Sequence, residues 1–113
     1  MPFLNTKNRL SYKKTWGKIL RHEQISNTQY AGCFLDWDNS PRRGVSAIIY
    51  KNTSPNDFYF YFKEQFNKMK QHNCPYIFIN AWNEWCEGTY LEPDTKNGYS
   101  FLEMIANAKE SYN

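Results

Sequence analysis

The sequence predicts an α/β fold with a parallel sheet. Two short apolar runs predict strands: residues 30–35, which are typical of a buried strand, and residues 76–79, which follow Pro75. Segments with helical periodicity precede, separate and follow these runs, and strands that alternate with helices favour a parallel sheet. At 113 residues the chain is long enough for one domain and no more.

The first helix is predicted over residues 11–23. Ser11 is a suitable N-cap, and the apolar residues that follow share one face of the helix: Tyr12, Trp16, Ile19 and Leu20. A strand over residues 30–35 comes next, and residues 36–44 are expected to form a polar loop because Asn39, Ser40 and Pro41 favour a turn.

A second helix is predicted to begin after Ser54, with Pro55 in its first position and Asp57 in its first turn. Its apolar face would hold Phe58, Tyr61, Phe62, Phe66 and Met69. The alternative is a strand through "FYFYF", since aromatic residues favour strands. A last helix is expected over residues 99–111, with Leu102, Ile105 and Ala106 on one side.

Composition excludes several classes of function. The net charge is only +3, too small for the strongly basic face of a nucleic-acid-binding protein. No apolar run is long enough to span a membrane, no signal peptide is evident, and no histidine or cysteine spacing indicates a metal site or a bound cofactor. Three cysteines without a CxxC pair predict a reduced, cytoplasmic chain.

Polar and aromatic residues are concentrated directly after the two predicted strands, in residues 36–44 and 80–94. In parallel α/β folds the active site lies beyond the C-terminal ends of the strands. We therefore expect both segments on one face of the molecule.

The second segment contains the groups that glycosidic chemistry needs. Glu84 and Glu87 are a candidate pair of catalytic carboxylates, one acid and one base or nucleophile. The other candidate residues would stack against sugar rings or bind their hydroxyls: Asn80, Trp82, Asn83, Trp85, Tyr90 and Glu92. Alternatively, the tryptophans only close the end of the fold and the glutamates bind backbone amides. Cys86 is expected to fill a small space.

The segment "DWDNSPRRG" is less specific. Its candidate substrate-binding residues are Trp37, Asp38, Asn39, Arg42 and Arg43, of which the arginines can pair with a phosphate or a carboxylate. The alternative is an Asn-Ser-Pro turn with solvated arginines.

Three stretches resemble a known family. "FINAWNEWCEGTYLEPD", followed by "GYSFLEMI", is similar to the C-terminal signature of the WbsX-like glycosyltransferases, and "FLDWDNSPRRG" resembles an upstream motif of that family. The family is related to glycoside hydrolase family 99, the endo-acting α-mannosidases. The resemblance implies a (β/α)8 barrel that acts on an oligosaccharide or glycan. It also implies that Glu84 acts as base on a sugar 2-hydroxyl and Glu87 as general acid. The hydrolases commonly carry histidine at the position of Cys86.

A barrel of this kind needs ~250 residues. The resemblance therefore implies that residues 1–113 are a single partial domain, the last strands and helices of an incomplete barrel, with a companion chain able to supply the rest. The implied parent enzyme is a glycosyltransferase of bacterial surface polysaccharide (O-antigen or capsule). The alternatives are a hydrolase of the endo-α-mannosidase type, a non-catalytic carbohydrate-binding piece, and an inactive remnant.

Overall fold

The computed structural model describes residues 8–22 and 29–111. These ranges contain four α-helices and six short strands, in this order: β1 (Arg9–Ser11), α1 (Tyr12–His22), β2 (Ala31–Phe34), α2 (Ser40–Arg43), β3 (Ile49–Lys51), α3 (Pro55–Gln71), β4 (Ile77–Asn80), β5 (Asn83–Glu84), β6 (Thr89–Tyr90) and α4 (Ser100–Glu110). Every helix within the described ranges is too short or too polar to cross a lipid bilayer.

The predicted helix starts are confirmed by their caps. Ser54 Oγ accepts the backbone N–H of Asp57 at 3.1 Å, and Pro55 begins α3, so "FYFYF" is helical and the alternative strand is wrong. Ser11 Oγ likewise accepts the N–H of Lys14 at 3.2 Å at the start of α1.

The two predicted strands pair in parallel. β2 and β4 are in register from Ala31 opposite Ile77 to Phe34 opposite Asn80, and α3 lies between them in the chain. The parallel α/β prediction is confirmed for this unit. Because Phe34 and Asn80 end the two strands side by side, the segments that follow them leave the sheet at the same edge.

Several elements were not predicted. β1 pairs in parallel with β3, and β5 pairs with β6 as an antiparallel hairpin. The predicted loop 36–44 contains the short helix α2, with Pro41 in its first turn. Proline is tolerated there because the first N–H groups of a helix have no intrahelical partner.

The core is built largely from aromatic rings. Trp16 stacks between Phe34 and Tyr61 with interplanar angles of 8° and 4°. Tyr12 is fully buried, and its hydroxyl donates to the carbonyl of Phe34 at 2.7 Å. Burial raises the pKa of Tyr12, so its phenol stays a neutral donor. Phe58, Phe62, Leu35 and Phe101 complete the centre of the core.

The face predicted for the last helix is partly wrong. Phe101 and Ala108 are buried, Ile105 packs against the core, and Ala106 is exposed. Phe101 determines which face of α4 packs on the core, since Ile105 and Ala108, four and seven residues later, lie on the same face of the helix.

One side of the β2–β4 sheet remains open among the described residues. Phe78 is 61% exposed and Tyr76 60% exposed, and the two contact Tyr30 at ring-centroid distances of 5.9 and 6.0 Å. Parallel sheets are usually covered on both faces.

Candidate functional site

The two segments beyond β2 and β4 meet directly. The backbone N–H of Asp38 donates to the carbonyl of Glu87 at 2.9 Å. Gly88, next in the chain, has φ +64°, and a Cβ placed on it would lie 2.7 Å from the backbone N and O of Asp38. Only glycine allows this approach, because a side chain would both strain the backbone and collide with Asp38.

A charge pair joins the same two segments. Arg42 Nη1, on α2, lies 3.6 Å from Glu87 Oε1, and the two side chains are 62% and 27% exposed. Arg42 was expected to meet an anion of the substrate, but its partner in this structure is the carboxylate predicted to be the general acid. The neighbouring Arg43 is exposed on α2.

Two predicted ligands on the first segment also have local structural roles. Asp38 Oδ1 accepts the N–H of Ser40 at 2.9 Å, and Asn39 Oδ1 accepts the N–H of Ile48 at 2.8 Å. Such bonds from Asp and Asn side chains to nearby backbone are typical of turns. Trp37 is half-buried, and its carbonyl accepts the N–H of Tyr50 on β3.

A polar cavity of about 170 Å³ lies between the segments. Its lining combines carboxylates with a phenol, an amide and two apolar side chains: Leu35, Asp36, Asp38, Gly88, Tyr90, Asp94, Asn97 and Phe101. Burial raises the pKa of Asp36, although hydrogen bonds from the N–H of Trp37 and from Thr53 act in the opposite direction. The part of the chain that the structure describes contains no group of three or more His, Cys, Asp or Glu side chains able to hold a metal ion.

The end of β4 is tied to the β5–β6 hairpin. The buried hydroxyl of Thr89 donates to the carbonyl of Asn80 at 2.7 Å, which leaves the Asn80 side chain exposed at the edge of the sheet. Asn83 and Glu84 form β5 and are exposed, whereas Glu87 is half-buried beneath Arg42. The two candidate carboxylates therefore lie in different environments, one solvated and one paired.

The hairpin fixes Trp85. Its indole stacks on Tyr90 with ring centroids 3.7 Å apart and planes 12° apart, and its Nε1–H donates to Glu92 Oε1 at 3.1 Å. The hydroxyl of Tyr90 donates to Asp94 Oδ2 at 2.9 Å. Desolvation and the adjacent Asp94 raise the pKa of Tyr90 to about 12. Trp85 thus contacts Tyr90 and Glu92, two other residues that were predicted to touch substrate.

Trp82 and Cys86 are at the surface. Trp82 is 53% exposed, and its carbonyl accepts the N–H groups of Leu91 and Glu92, both at 3.1 Å. Cys86 is exposed, so the expectation that it fills a small space is wrong. It lies in a 3-10 turn, Trp85–Glu87, that presents its side chain to solvent.

Sequence reasoning missed the structural importance of Gly88, Thr89 and Asn97. Gly88 carried a usable signal, because a glycine directly after a short polar turn often has a positive φ. Thr89 carried none, since its bond to Asn80 exists only once the hairpin forms, whereas Asn97, followed by Gly98, indicated a turn that the sequence analysis did not use.

Comparison with known proteins identifies the family of the chain. The family model "Glycosyltransferase WbsX" matches residues 3–105 of the chain. This chain belongs to the WbsX glycosyltransferase family. The match covers both segments of the candidate site.

Two relatives extend the comparison. "Uncharacterized protein WxcX" from Xanthomonas campestris pv. campestris strain B100 is 40% identical over 88 residues, and its counterpart in a second strain of that organism gives the same values. The matched region is 72% of this chain but only 12% of either relative, so the chain corresponds to a small part of each WxcX protein. No solved structure matches the chain.

Proposed function

We propose that this chain is part of a carbohydrate-active enzyme that forms glycosidic bonds of a bacterial surface polysaccharide such as O-antigen or capsule. The observation that carries the proposal is the junction of the two family motifs at one sheet edge, through Asp38 and Glu87. Exposed tryptophans, amides and two glutamates surround that junction, and this combination suits the binding and chemistry of sugars.

The proposed roles of the glutamates come from the family resemblance. Glu84 is the base and Glu87 the acid, with Arg42 placing the Glu87 side chain. Substrate that enters between Arg42 and Glu87 would take over the arginine as a partner for its own anionic or hydroxyl oxygens. Glu87, released from the arginine, would then take up a proton from solvent and pass it to the leaving oxygen.

Two glutamine substitutions test these roles. Turnover is measured on the full-length protein, as cleavage of labelled oligosaccharides and as their extension from nucleotide-activated or lipid-linked sugars. Glu84→Gln and Glu87→Gln should each lower turnover ~10²–10⁴-fold. Glu110→Gln, which removes an exposed carboxylate from the last turn of α4, is the matched control. Near-normal turnover in both site variants contradicts the assignment. Cleavage without extension would assign the hydrolase alternative.

A second candidate, glycan binding without turnover, is favoured by the fixed orientation of Trp85 against Tyr90. It predicts that the glutamine variants bind glycan as the wild type does, whereas Trp82→Ala and Trp85→Ala weaken binding. No turnover in the wild type, together with this pattern of affinities, would select the binding function.

We further propose that residues 1–113 are a partial domain whose sheet is completed by additional parallel strands, as in a (β/α)8 barrel. Support comes from the open aromatic face at Tyr76 and Phe78 and from a groove of about 710 Å³ beside it, between α1 and the β2–β4 sheet. The small share of the WxcX relatives that the chain matches is consistent with this proposal. If residues 1–113 on their own sediment as a monomer in which Phe78 is protected from solvent, the proposal is contradicted.

A further inference from the structure

Trp85 is held on two sides by its own hairpin. Tyr90 covers one face of the indole at 3.7 Å, and Glu92 accepts the indole N–H at 3.1 Å. Trp85 is nevertheless 46% exposed. Since Tyr90 covers one face and the N–H is bonded, we infer that the opposite face of the ring is accessible.

Tyr90 is itself held in place. Its hydroxyl donates to Asp94, and Asp94 accepts the backbone N–H of Asn97 at 2.6 Å. The backbone N–H of Gly98 also donates to the carbonyl of Asp94 at 2.9 Å, which closes the turn. The turn before α4 therefore holds Tyr90 in place, and Tyr90 in turn orients the indole of Trp85.

We propose that the uncovered face of Trp85 is a stacking site for one pyranose residue of a glycan, and that Tyr90 and Glu92 are positioning residues for it. This inference rests on the proposed carbohydrate function and assigns roles within the same site. It differs from the sequence-based expectation, in which Tyr90 and Glu92 bind sugar hydroxyls.

Preorganisation of the indole would strengthen such stacking. A pyranose ring presents a patch of C–H groups that can pack on a flat aromatic face, and such contact is strongest when the ring is already fixed. The Glu92 bond favours one rotational position of the indole, and the Tyr90 stack favours one tilt. Glu92 needs only an acceptor oxygen for this role, so its negative charge is not required.

Substitutions at Glu92 separate positioning from direct contact. Glu92→Gln keeps an acceptor oxygen and removes the charge, whereas Glu92→Ala removes both. Glu110→Ala, which removes an exposed carboxylate from α4, is the control for loss of charge. Two readouts are taken on the full-length protein: the ¹⁵N–¹H resonance of the Trp85 indole, assigned by its loss in Trp85→Phe, and titration with mannotetraose, cellotetraose and galactotetraose.

The expected spectra and affinities follow. Without sugar, Glu92→Ala moves the Trp85 indole resonance and Glu92→Gln leaves it close to the wild-type position. At least one tetrasaccharide shifts that resonance, and its dissociation constant rises about tenfold in Trp85→Ala and in Glu92→Ala but stays within about twofold in Glu92→Gln. Tyr90→Phe keeps the ring that covers Trp85 but loses the bond to Asp94, so it should weaken binding, by less than Trp85→Ala does.

Three results would overturn the inference. Equal weakening in Glu92→Gln and Glu92→Ala, with an unmoved indole resonance, would mean that Glu92 contacts sugar through its charge. A tetrasaccharide that shifts only the Trp82 indole would place the ring elsewhere, and absence of binding by all three would remove the stacking site. In each of these cases, turnover that depends on Glu84 and Glu87 would still support the proposed function. The test of the stacking site is therefore independent of the test of the proposed function.

Discussion

Arg42 and Glu87 come from segments that follow different strands, yet their charged groups lie 3.6 Å apart above the carboxyl edge of the sheet. The backbones of the same segments are joined by the hydrogen bond from Asp38 to Glu87. The candidate site is therefore one connected surface, made by two loops that the parallel pairing of β2 and β4 brings together.

The ion pair should contribute little to folding. Arg42 is 62% exposed, and exposed pairs are screened by water and salt, so the coupling free energy should be about 0–1 kcal/mol. A double-mutant cycle of Arg42→Gln and Glu87→Gln, followed by denaturant unfolding, measures it. A coupling of several kcal/mol would show that the pair stabilises the fold rather than places Glu87.

The close approach of Gly88 to Asp38 should tolerate no side chain. Gly88→Ala forces a methyl group to within 2.7 Å of the Asp38 backbone at a φ of +64°, so the loss of unfolding free energy should exceed the ~1–2 kcal/mol of left-handed strain alone. Gly98→Ala is the matched control, because Gly98 also has a positive φ but open space around its Cα. Equal losses in the two variants would contradict the close approach.

The turn around Asp94 should make the free energy of unfolding decrease at acidic pH. Hydrogen bonds from the N–H of Asn97 and from Tyr90 hold the pKa of Asp94 below its ordinary value of 3.8. Because the folded-state pKa is lowered, the stabilisation is present above the unfolded pKa and is lost as pH falls through the folded one. The wild type should lose its stability advantage over Asp94→Asn below about pH 4.

Denaturant unfolding at several pH values between neutral and about 3 measures this difference. The difference between the wild-type and Asp94→Asn curves of unfolding free energy against pH gives the contribution of Asp94. It cancels the contribution of Asp36, whose raised pKa favours the folded state as pH falls. Glu110→Gln controls for removal of a carboxylate outside the turn. A constant difference across the range would contradict the assigned hydrogen bonds.

Much of the fold could be predicted because its strongest signals are local. The Ser54 cap and the spacing of Phe58 and Phe62 identify α3, and the apolar run that ends at Ile79 identifies β4. The three-residue strands β1 and β3 are too short to show an alternation, and β1 leads directly into α1. Pro41 indicated a turn, although the same residue is compatible with the start of the short helix α2.

The candidate site could be predicted in composition and location but not in its internal contacts. Parallel strands place residues 36–44 and 80–94 at one edge, which the sequence order implies. That Arg42 faces Glu87, or that Glu92 holds Trp85, depends on backbone turns around Asn39 and Gly88 whose geometry no residue spacing specifies.

The central claim is that a glycan lies across the two loops. Photo-crosslinking tests it directly: a diazirine-bearing tetrasaccharide is irradiated with the chain, and labelled peptides are located by mass spectrometry with unlabelled sugar as competitor. The account predicts competed labels within residues 36–44 and 80–94. Competed labels confined to α3 or to the outer surface of α1, with both loops unlabelled, would contradict it.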